Sequence, residues 1–114
     1  EYLTEDAKLI IIAYGTAARI AKGAVNRARS EGLKVGLLRP ITLWPFPNEA
    51  ICTAAKTTKV FLSFEVSTGQ MIDDVRLALE GTAQTEFYGR PGGIVPSPQE
   101  IARIIERIWL QKEL

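Results

Sequence analysis

The stretch KLIIIAYGT, residues 8–16, decides the fold class of this chain. It opens as an almost unbroken apolar and β-branched run, the pattern of a strand buried on both faces. Gly15 ends the strand, and Thr16 offers a hydroxyl that could cap a following helix. An alanine-rich stripe then recurs at helical spacing over residues 17–28, and Gly32 follows as a left-handed stop. The stretch therefore predicts a buried strand followed by a helix that packs closely on the sheet.

The same alternation of strand and helix continues along the chain. The further predicted strands are KVGLL at 34–38, KVFLSF at 59–64 and TEFY at 85–88. The further predicted helices begin at Pro47, at Ser67 and at the cap-and-proline pair Ser97-Pro98. Strands that alternate with helices need crossover connections, so the sequence predicts a three-layer α/β/α fold. We expect its mostly parallel sheet to have four to five strands.

Composition limits the function classes. The chain has 114 residues, which predicts a single domain over 1–114. Lys and Arg number 14 and Asp and Glu 13, so the net charge of +1 gives no support for binding nucleic acid or an acidic membrane. No apolar run is long enough to span a bilayer, and no signal-peptide pattern opens the chain. Because the first residue is Glu1 rather than Met, we expect a piece of a longer polypeptide.

Residue types that are missing exclude several chemistries. The chain has no His and one Cys, Cys52. It therefore cannot by itself form a disulfide, a Cys/His zinc site, a cysteine-ligated cluster or a Ser-His-Asp relay. Cys52 falls among the apolar positions of the second helix, so we expect a small buried side chain rather than a nucleophile. A thiol without a partner also fits a reducing compartment.

Ligands and partners of an open α/β sheet bind at the carboxyl ends of its strands. There, Gly15 and Thr16 could present backbone N–H groups to an anion, and Arg19 in the same turn favours an anion or acidic partner nearby. The simpler interpretation is a glycine turn and a helix cap. Arg39 and Glu65 also end strands and could meet as a structural ion pair, whereas catalysis would need a nucleophile, a metal or a second carboxylate.

The loop LWPFP at 43–47 places two large aromatic side chains between prolines. If Trp44 and Phe46 are exposed, they form a rigid apolar anchor for another domain or subunit. If they fold inward, they cover the core. The sequence leaves both possibilities open.

Four strings in this order resemble one known family. They are AYGT at 13–16, KVGLLRPITLWPFP at 34–47, FEVSTGQMIDDVR at 64–76 and GRPGGIVPSPQEI at 89–101. The strings resemble the 2-oxoacid:ferredoxin oxidoreductases, in the carboxyl-terminal domain of the alpha subunit. That domain is similar to the transketolase carboxyl-terminal domain. One departure is Ser67, where relatives more often have Asn.

The resemblance implies a fragment of a longer alpha subunit. The whole enzyme would convert a 2-oxoacid, coenzyme A and oxidised ferredoxin into acyl-CoA, CO₂ and reduced ferredoxin. The whole enzyme would use thiamine diphosphate, Mg²⁺ and iron–sulfur clusters, and these would bind outside this domain. The implied partners are a beta subunit, further subunits and, through the complex, ferredoxin, in the cytoplasm. We expect the isolated fragment to be inactive and to serve assembly of subunits and domains.

The family motifs suggest contact residues but no catalytic residue and no metal ligand. The candidates for polar contacts at the strand ends are Thr16, Arg39, Glu65, Gln70 and Arg90. Trp44 and Phe46 are the candidate interface residues. Two alternatives stay open: the equivalent domain of another thiamine enzyme (a transketolase or a 2-oxoacid dehydrogenase beta subunit), or a small anion-binding module at Gly15 and Thr16.

Overall fold

The computed structural model describes residues 2–40, 48–66, 72–79, 83–89, 96–112 and 114. Strands and helices alternate along these residues as the sequence predicts. The elements are β1 (Leu9–Ile12), α1 (Thr16–Ser30), β2 (Val35–Leu38), α2 (Asn48–Ala54), β3 (Val60–Glu65), α3 (Ile72–Leu79), β4 (Gln84–Gly89) and α4 (Pro98–Gln111). Observed strand ends lie within two residues of the predicted ends.

The four strands form one sheet in the order β2-β1-β3-β4, and each neighbouring pair is parallel. Leu9 of β1 lies beside Val35 of β2 on one side and Val60 of β3 on the other. These pairs define the register of the three strands. The predicted parallel α/β architecture is therefore confirmed, with four strands in the described part of the chain.

Helices cover both faces of the sheet. Leu9 and Ile11 pack with α1 and α4, whereas Ile10 and Ile12 pack with α2 and α3. Successive side chains of a strand point to opposite faces, so a strand covered on both sides needs apolar residues at every position. This requirement explains the unbroken run of β1, whose residues are all 0% exposed.

Helix ends follow local sequence signals, with one correction. Ser97 Oγ accepts a hydrogen bond from the Glu100 backbone N–H at 3.2 Å, so the predicted cap of α4 is confirmed. Gly32 adopts a φ of 86°, as expected of a left-handed stop. The prediction that Thr16 caps α1 is wrong, because the cap position belongs to Gly15, with φ 61° and no capping bond from a described side chain. Thr16 is instead the first helical residue.

An amino-terminal strap, residues 2–7, covers the outer edge of β2. The backbones of Tyr2 and Leu37 exchange two hydrogen bonds of 2.8 Å. A Cβ on Gly36 would lie 2.7 Å from the Leu3 carbonyl oxygen, so the strap passes too close for any larger residue there. The structure thus closes one edge of the sheet with a segment that the sequence pattern did not identify.

Cys52 is exposed, so the prediction of a buried thiol is wrong. Its neighbour Ile51 takes the core position, and one residue further along a helix points about 100° away. The Cys52 thiol donates to the Ala78 carbonyl oxygen at 3.1 Å, which links α2 to α3. Among the described residues, no helix is both long enough and apolar enough to cross a membrane.

Candidate functional site at the carboxyl ends of the strands

Strand order places the candidate site between β1 and β3. From β1 the chain crosses to β2 on one side, whereas from β3 it crosses to β4 on the other side. Neighbouring strands whose connections diverge in this way form a topological switch point, which opens a crevice above their carboxyl ends. The residues beside this crevice are Gly15 and Thr16 after β1 and Glu65 at the end of β3.

The β1 side of the crevice is the start of α1, where the described residues leave Thr16 exposed. A Cβ built on Gly15 would find no atom of the described residues within 4 Å. The first turn of α1 contains no acidic residue. Arg19 is also exposed in this turn. The amino end of α1 can therefore donate backbone N–H groups to an acceptor of a partner molecule.

Glu65 forms the β3 side of the crevice and is completely buried. One carboxylate oxygen accepts the Ile72 backbone N–H at 3.1 Å and lies 3.5 Å from the Ser63 hydroxyl, which donates to it. Ile72 begins α3, so the carboxylate lies at the positive end of that helix. Glu65 thereby fastens the start of α3 to the end of β3.

The predicted ion pair between Arg39 and Glu65 is not formed among the described residues. Arg39 follows β2, and β1 separates β2 from β3. Strands are spaced about 4.8 Å apart, so the two residues begin about two spacings from each other. Arg39 is exposed whereas Glu65 is turned inward to Ser63 and Ile72. Arg39 is thus available to a partner at the rim of the crevice.

The remaining predicted contact residues lie outside the described residues. Gln70 and Arg90 belong to the connections that follow β3 and β4. Trp44 and Phe46 belong to the connection between β2 and α2. Their roles stay predictions.

The structure adds a polar pair that the sequence analysis missed. The Tyr88 hydroxyl, at the end of β4, donates to a carboxylate oxygen of Glu100 in the first turn of α4. The Tyr88 ring also lies 6.1 Å from the Phe64 ring, centre to centre. A tyrosine whose ring packs on the core needs a hydrogen-bond partner for its hydroxyl. A tyrosine in a predicted strand could therefore have indicated such a pair from the sequence. The pair joins the outer strand to α4 at the same edge of the sheet.

The polar groups described at this edge divide into hydrogen-bonded inner groups and exposed outer groups. No three His, Cys, Asp or Glu side chains within the described ranges are grouped to hold a metal ion. No buried side-chain nitrogen or oxygen of these residues lacks a hydrogen-bond partner. The inner groups thus hold the elements together, and the outer groups, Thr16 and Arg39, face solvent.

A parallel sheet covered on both faces by helices, with a crevice at its switch point, defines the class of α/β domains that bind ligands or partners at the carboxyl ends of their strands. Residues 7–101 match the family model described as pyruvate:ferredoxin oxidoreductase core domain II. The chain belongs to this family.

Individual relatives agree with this assignment. The ketoisovalerate oxidoreductase subunit VorB of Methanothermobacter marburgensis is 46% identical over 108 residues, which are 95% of this chain and 30% of the relative. One similar solved structure is a 2-oxoglutarate:ferredoxin oxidoreductase from Magnetococcus marinus with 2-oxoglutarate, coenzyme A and succinyl-CoA bound. The superposition covers 90% of this chain and 18% of the Magnetococcus chain. Its TM-score is 0.73 at 25% identity. This chain therefore spans about a third of its curated relative.

A third match concerns the fold alone. A split-gene transketolase, described as an inactive beta4 tetramer, has a TM-score of 0.76 over 94% of this chain and 40% of its own, at 17% identity. The transketolase-like fold is thus confirmed, as is the resemblance to a subunit of 2-oxoacid:ferredoxin oxidoreductases. The alternative of another thiamine enzyme is not favoured, because the matching family model describes a pyruvate:ferredoxin oxidoreductase domain and the sequence relative is a ketoisovalerate oxidoreductase subunit.

Proposed function

We propose that residues 1–114 form the carboxyl-terminal domain of the alpha subunit of a 2-oxoacid:ferredoxin oxidoreductase and that this domain assembles the enzyme rather than catalysing its reaction. The whole enzyme would convert a 2-oxoacid, coenzyme A and oxidised ferredoxin into acyl-CoA, CO₂ and reduced ferredoxin. The family match over residues 7–101 supports this proposal. The VorB relative also supports it, because its whole chain is more than three times as long as the region that aligns with this chain.

One observation supports a contact role above the others. Glu65 is the carboxylate at the switch point, and it is buried and hydrogen-bonded to Ser63 and Ile72 of its own chain. A general acid or base must reach a substrate proton. Glu65 instead fixes β3 and α3, so the rim that they form with Thr16 and Arg39 is a preformed docking surface.

The described residues do not fit the family's metal-dependent cofactors. They contain no group of three or more His, Cys, Asp or Glu side chains that could hold a metal ion, and Cys52 alone cannot ligate an iron–sulfur cluster. Thiamine diphosphate, Mg²⁺ and the clusters would bind to other parts of the complex. Arg39 and the start of α1 suit an anionic group, so we place this rim at the border of the 2-oxoacid or coenzyme A entrance.

The partners would be the beta subunit and further subunits, with ferredoxin binding to the complex in the cytoplasm. We assign Trp44 and Phe46 to the apolar anchor of this assembly, because two aromatic side chains between prolines lose little entropy on binding. The VorB relative and the Magnetococcus enzyme are named for different 2-oxoacids. We therefore expect the residues that select the 2-oxoacid to lie elsewhere in the subunit.

The test separates assembly from catalysis. The full subunit, coexpressed with its partner subunits, carries Trp44→Ala and Phe46→Ala, and native mass spectrometry reports the intact complex. We expect the double variant to lose intact complex while Leu77→Ala, an exposed position on α3, retains it. The isolated chain, supplied with thiamine diphosphate, Mg²⁺, coenzyme A, a 2-oxoacid and a viologen acceptor, should produce no acyl-CoA. Full assembly of the double variant, or turnover by the isolated chain, would contradict the proposal.

A further inference from the structure

A second surface lies at the opposite end of the sheet from the candidate site. We call it the acidic groove and define it by its lining residues, Glu31, Leu33, Glu106, Trp109 and Leu110. Its volume is about 240 Å³. Leu33 comes just before β2, so the groove lies at the amino ends of the strands, away from the switch point.

The floor of the acidic groove is apolar. Leu33 and Trp109 are partly buried against the core between the sheet, α1 and α4. Leu110 is 77% exposed, although it is one of the larger apolar side chains of α4. An exposed leucine beside a half-buried tryptophan is the composition of an interaction surface rather than of an ordinary polar helix face.

The rim of the acidic groove is negative. Glu31 takes the carboxyl-terminal cap position of α1, where the helix dipole already contributes negative charge. The last turn of α4 also borders the groove and contains no basic residue. Arg27 lies one helical turn from Glu31 and Arg103 one turn from Glu106, but neither forms an ion pair with them among the described residues. Arg29 pairs with Asp6 and Lys112 with Glu86. None of these cations lines the groove, so nothing among its described lining residues neutralises Glu31 and Glu106.

We propose that the acidic groove docks a segment of another subunit that presents a Lys or Arg side chain beside an apolar residue. The cation would lie between Glu31 and Glu106 with its aliphatic stem on Trp109, and the apolar neighbour would cover Leu110. A small cation alone would leave Leu110 exposed. A second copy docked groove to groove would place like charges together, which opposes association. The proposal rests on the proposed function, because it requires a multi-subunit enzyme.

The first experiment identifies the occupant. The photo-crosslinker p-benzoylphenylalanine replaces Leu110 in the full subunit within the purified, coexpressed complex, and the same replacement of Leu77 is the matched control. Leu77 is 70% exposed on α3, on the opposite face of the sheet. We expect a crosslink from position 110, and none from position 77, to a peptide of another subunit that contains Lys or Arg. A crosslink to a second copy or to the same polypeptide, or no crosslink, would overturn the proposal.

The second experiment tests the charge. The double variant Glu31→Lys with Glu106→Lys should weaken binding of the full subunit to its partner by at least about tenfold. The neutral pair Glu31→Gln with Glu106→Gln should lose less affinity and most of the salt dependence. Circular dichroism should show unchanged melting, because both positions are exposed. Parental affinity in the lysine variant would overturn the groove proposal alone, whereas a parental subunit that binds no partner would overturn the proposed function.

Discussion

At the scale of single residues, Glu65 has the clearest structural role in the molecule. Its carboxylate contacts one group two residues earlier, the Ser63 hydroxyl, and another seven residues later, the Ile72 amide. Burial strengthens hydrogen bonds because the surrounding dielectric constant is low, and a partner left unpaired there is costly. The side chain therefore determines where α3 begins relative to the end of β3.

Replacing Glu65 should show this role directly. We expect Glu65→Ala to lower the free energy of unfolding by about 2–4 kcal/mol, because it leaves buried partners unpaired and a cavity behind. Glu65→Gln keeps one acceptor oxygen and should cost about half as much. Chemical denaturation measures both values, with the exposed Glu5→Ala as the control. If Glu65→Ala were as stable as the control, the carboxylate would not hold α3 in place.

Local sequence signals predicted the roles of some single residues and missed those of others. Ser97 and Gly32 were identified because capping and left-handed turns depend on neighbours within a few positions. The partners of Glu65 and Tyr88 were not, because their contacts join different elements. Cys52 was misplaced by a single position, since apolar spacing alone did not establish which side of a short helix faces the core.

At the scale of elements, Arg29 of α1 holds the amino-terminal strap against β2. Its guanidinium forms two hydrogen bonds with Asp6, of 2.7 and 3.1 Å, and a third with the Leu3 carbonyl oxygen at 2.7 Å. Its Nε donates to the Val35 carbonyl oxygen at 2.9 Å. Leu3 has a positive φ of 55°, an unfavourable conformation for a leucine that these bonds help to maintain. One side chain thus joins the strap, the helix and the strand.

The strap should respond to pH. Hydrogen bonding to Arg29 holds the pKa of Asp6 below its ordinary value of 3.8. A carboxyl whose folded pKa is lowered stabilises the fold above its unfolded pKa, and that contribution is lost as pH falls through the folded pKa. We expect Asp6→Asn to be less stable than the parent at neutral pH. The free energies of unfolding of the two proteins should converge as the pH falls below 3.8, the ordinary pKa of the carboxyl. Urea denaturation across this range measures the difference, and the exposed neighbour Glu5→Gln is the matched control. A constant difference between Asp6→Asn and the parent down to low pH would contradict this assignment.

The alternation of strands and helices was predictable from the sequence, whereas the order of the strands in the sheet and the contacts between elements were not. Each strand and helix has its own period of apolar residues, which is a local property of the sequence. The order β2-β1-β3-β4 depends on the direction of each crossover, and apolar spacing does not encode that direction. The role of Arg29 was not predictable from local patterns, because its partners lie up to 26 positions away.

At the scale of the whole molecule, the two edges of the sheet differ. Backbone hydrogen bonds from the strap cover β2. On the opposite side, β4 pairs with β3 and has half-buried or exposed positions throughout, with Phe87 42% exposed. Between them, β1 is bonded on both sides and fully buried. Stability should therefore decrease from β1 towards β4.

Amide hydrogen exchange tests this gradient. The amides of β1 open only when both neighbouring strands separate from it, whereas β4 pairs with β3 alone among the described residues and can detach by breaking that pair. We expect the β1 amides to exchange at least about tenfold more slowly than those of β4, with β2 nearer to β1 because the strap closes its edge. The Arg29→Ala variant provides the internal control: it should accelerate exchange in β2 and leave β4 unchanged. Equal protection of β1 and β4 would show that the sheet opens as one unit, and the strap would then have no separate part in its stability.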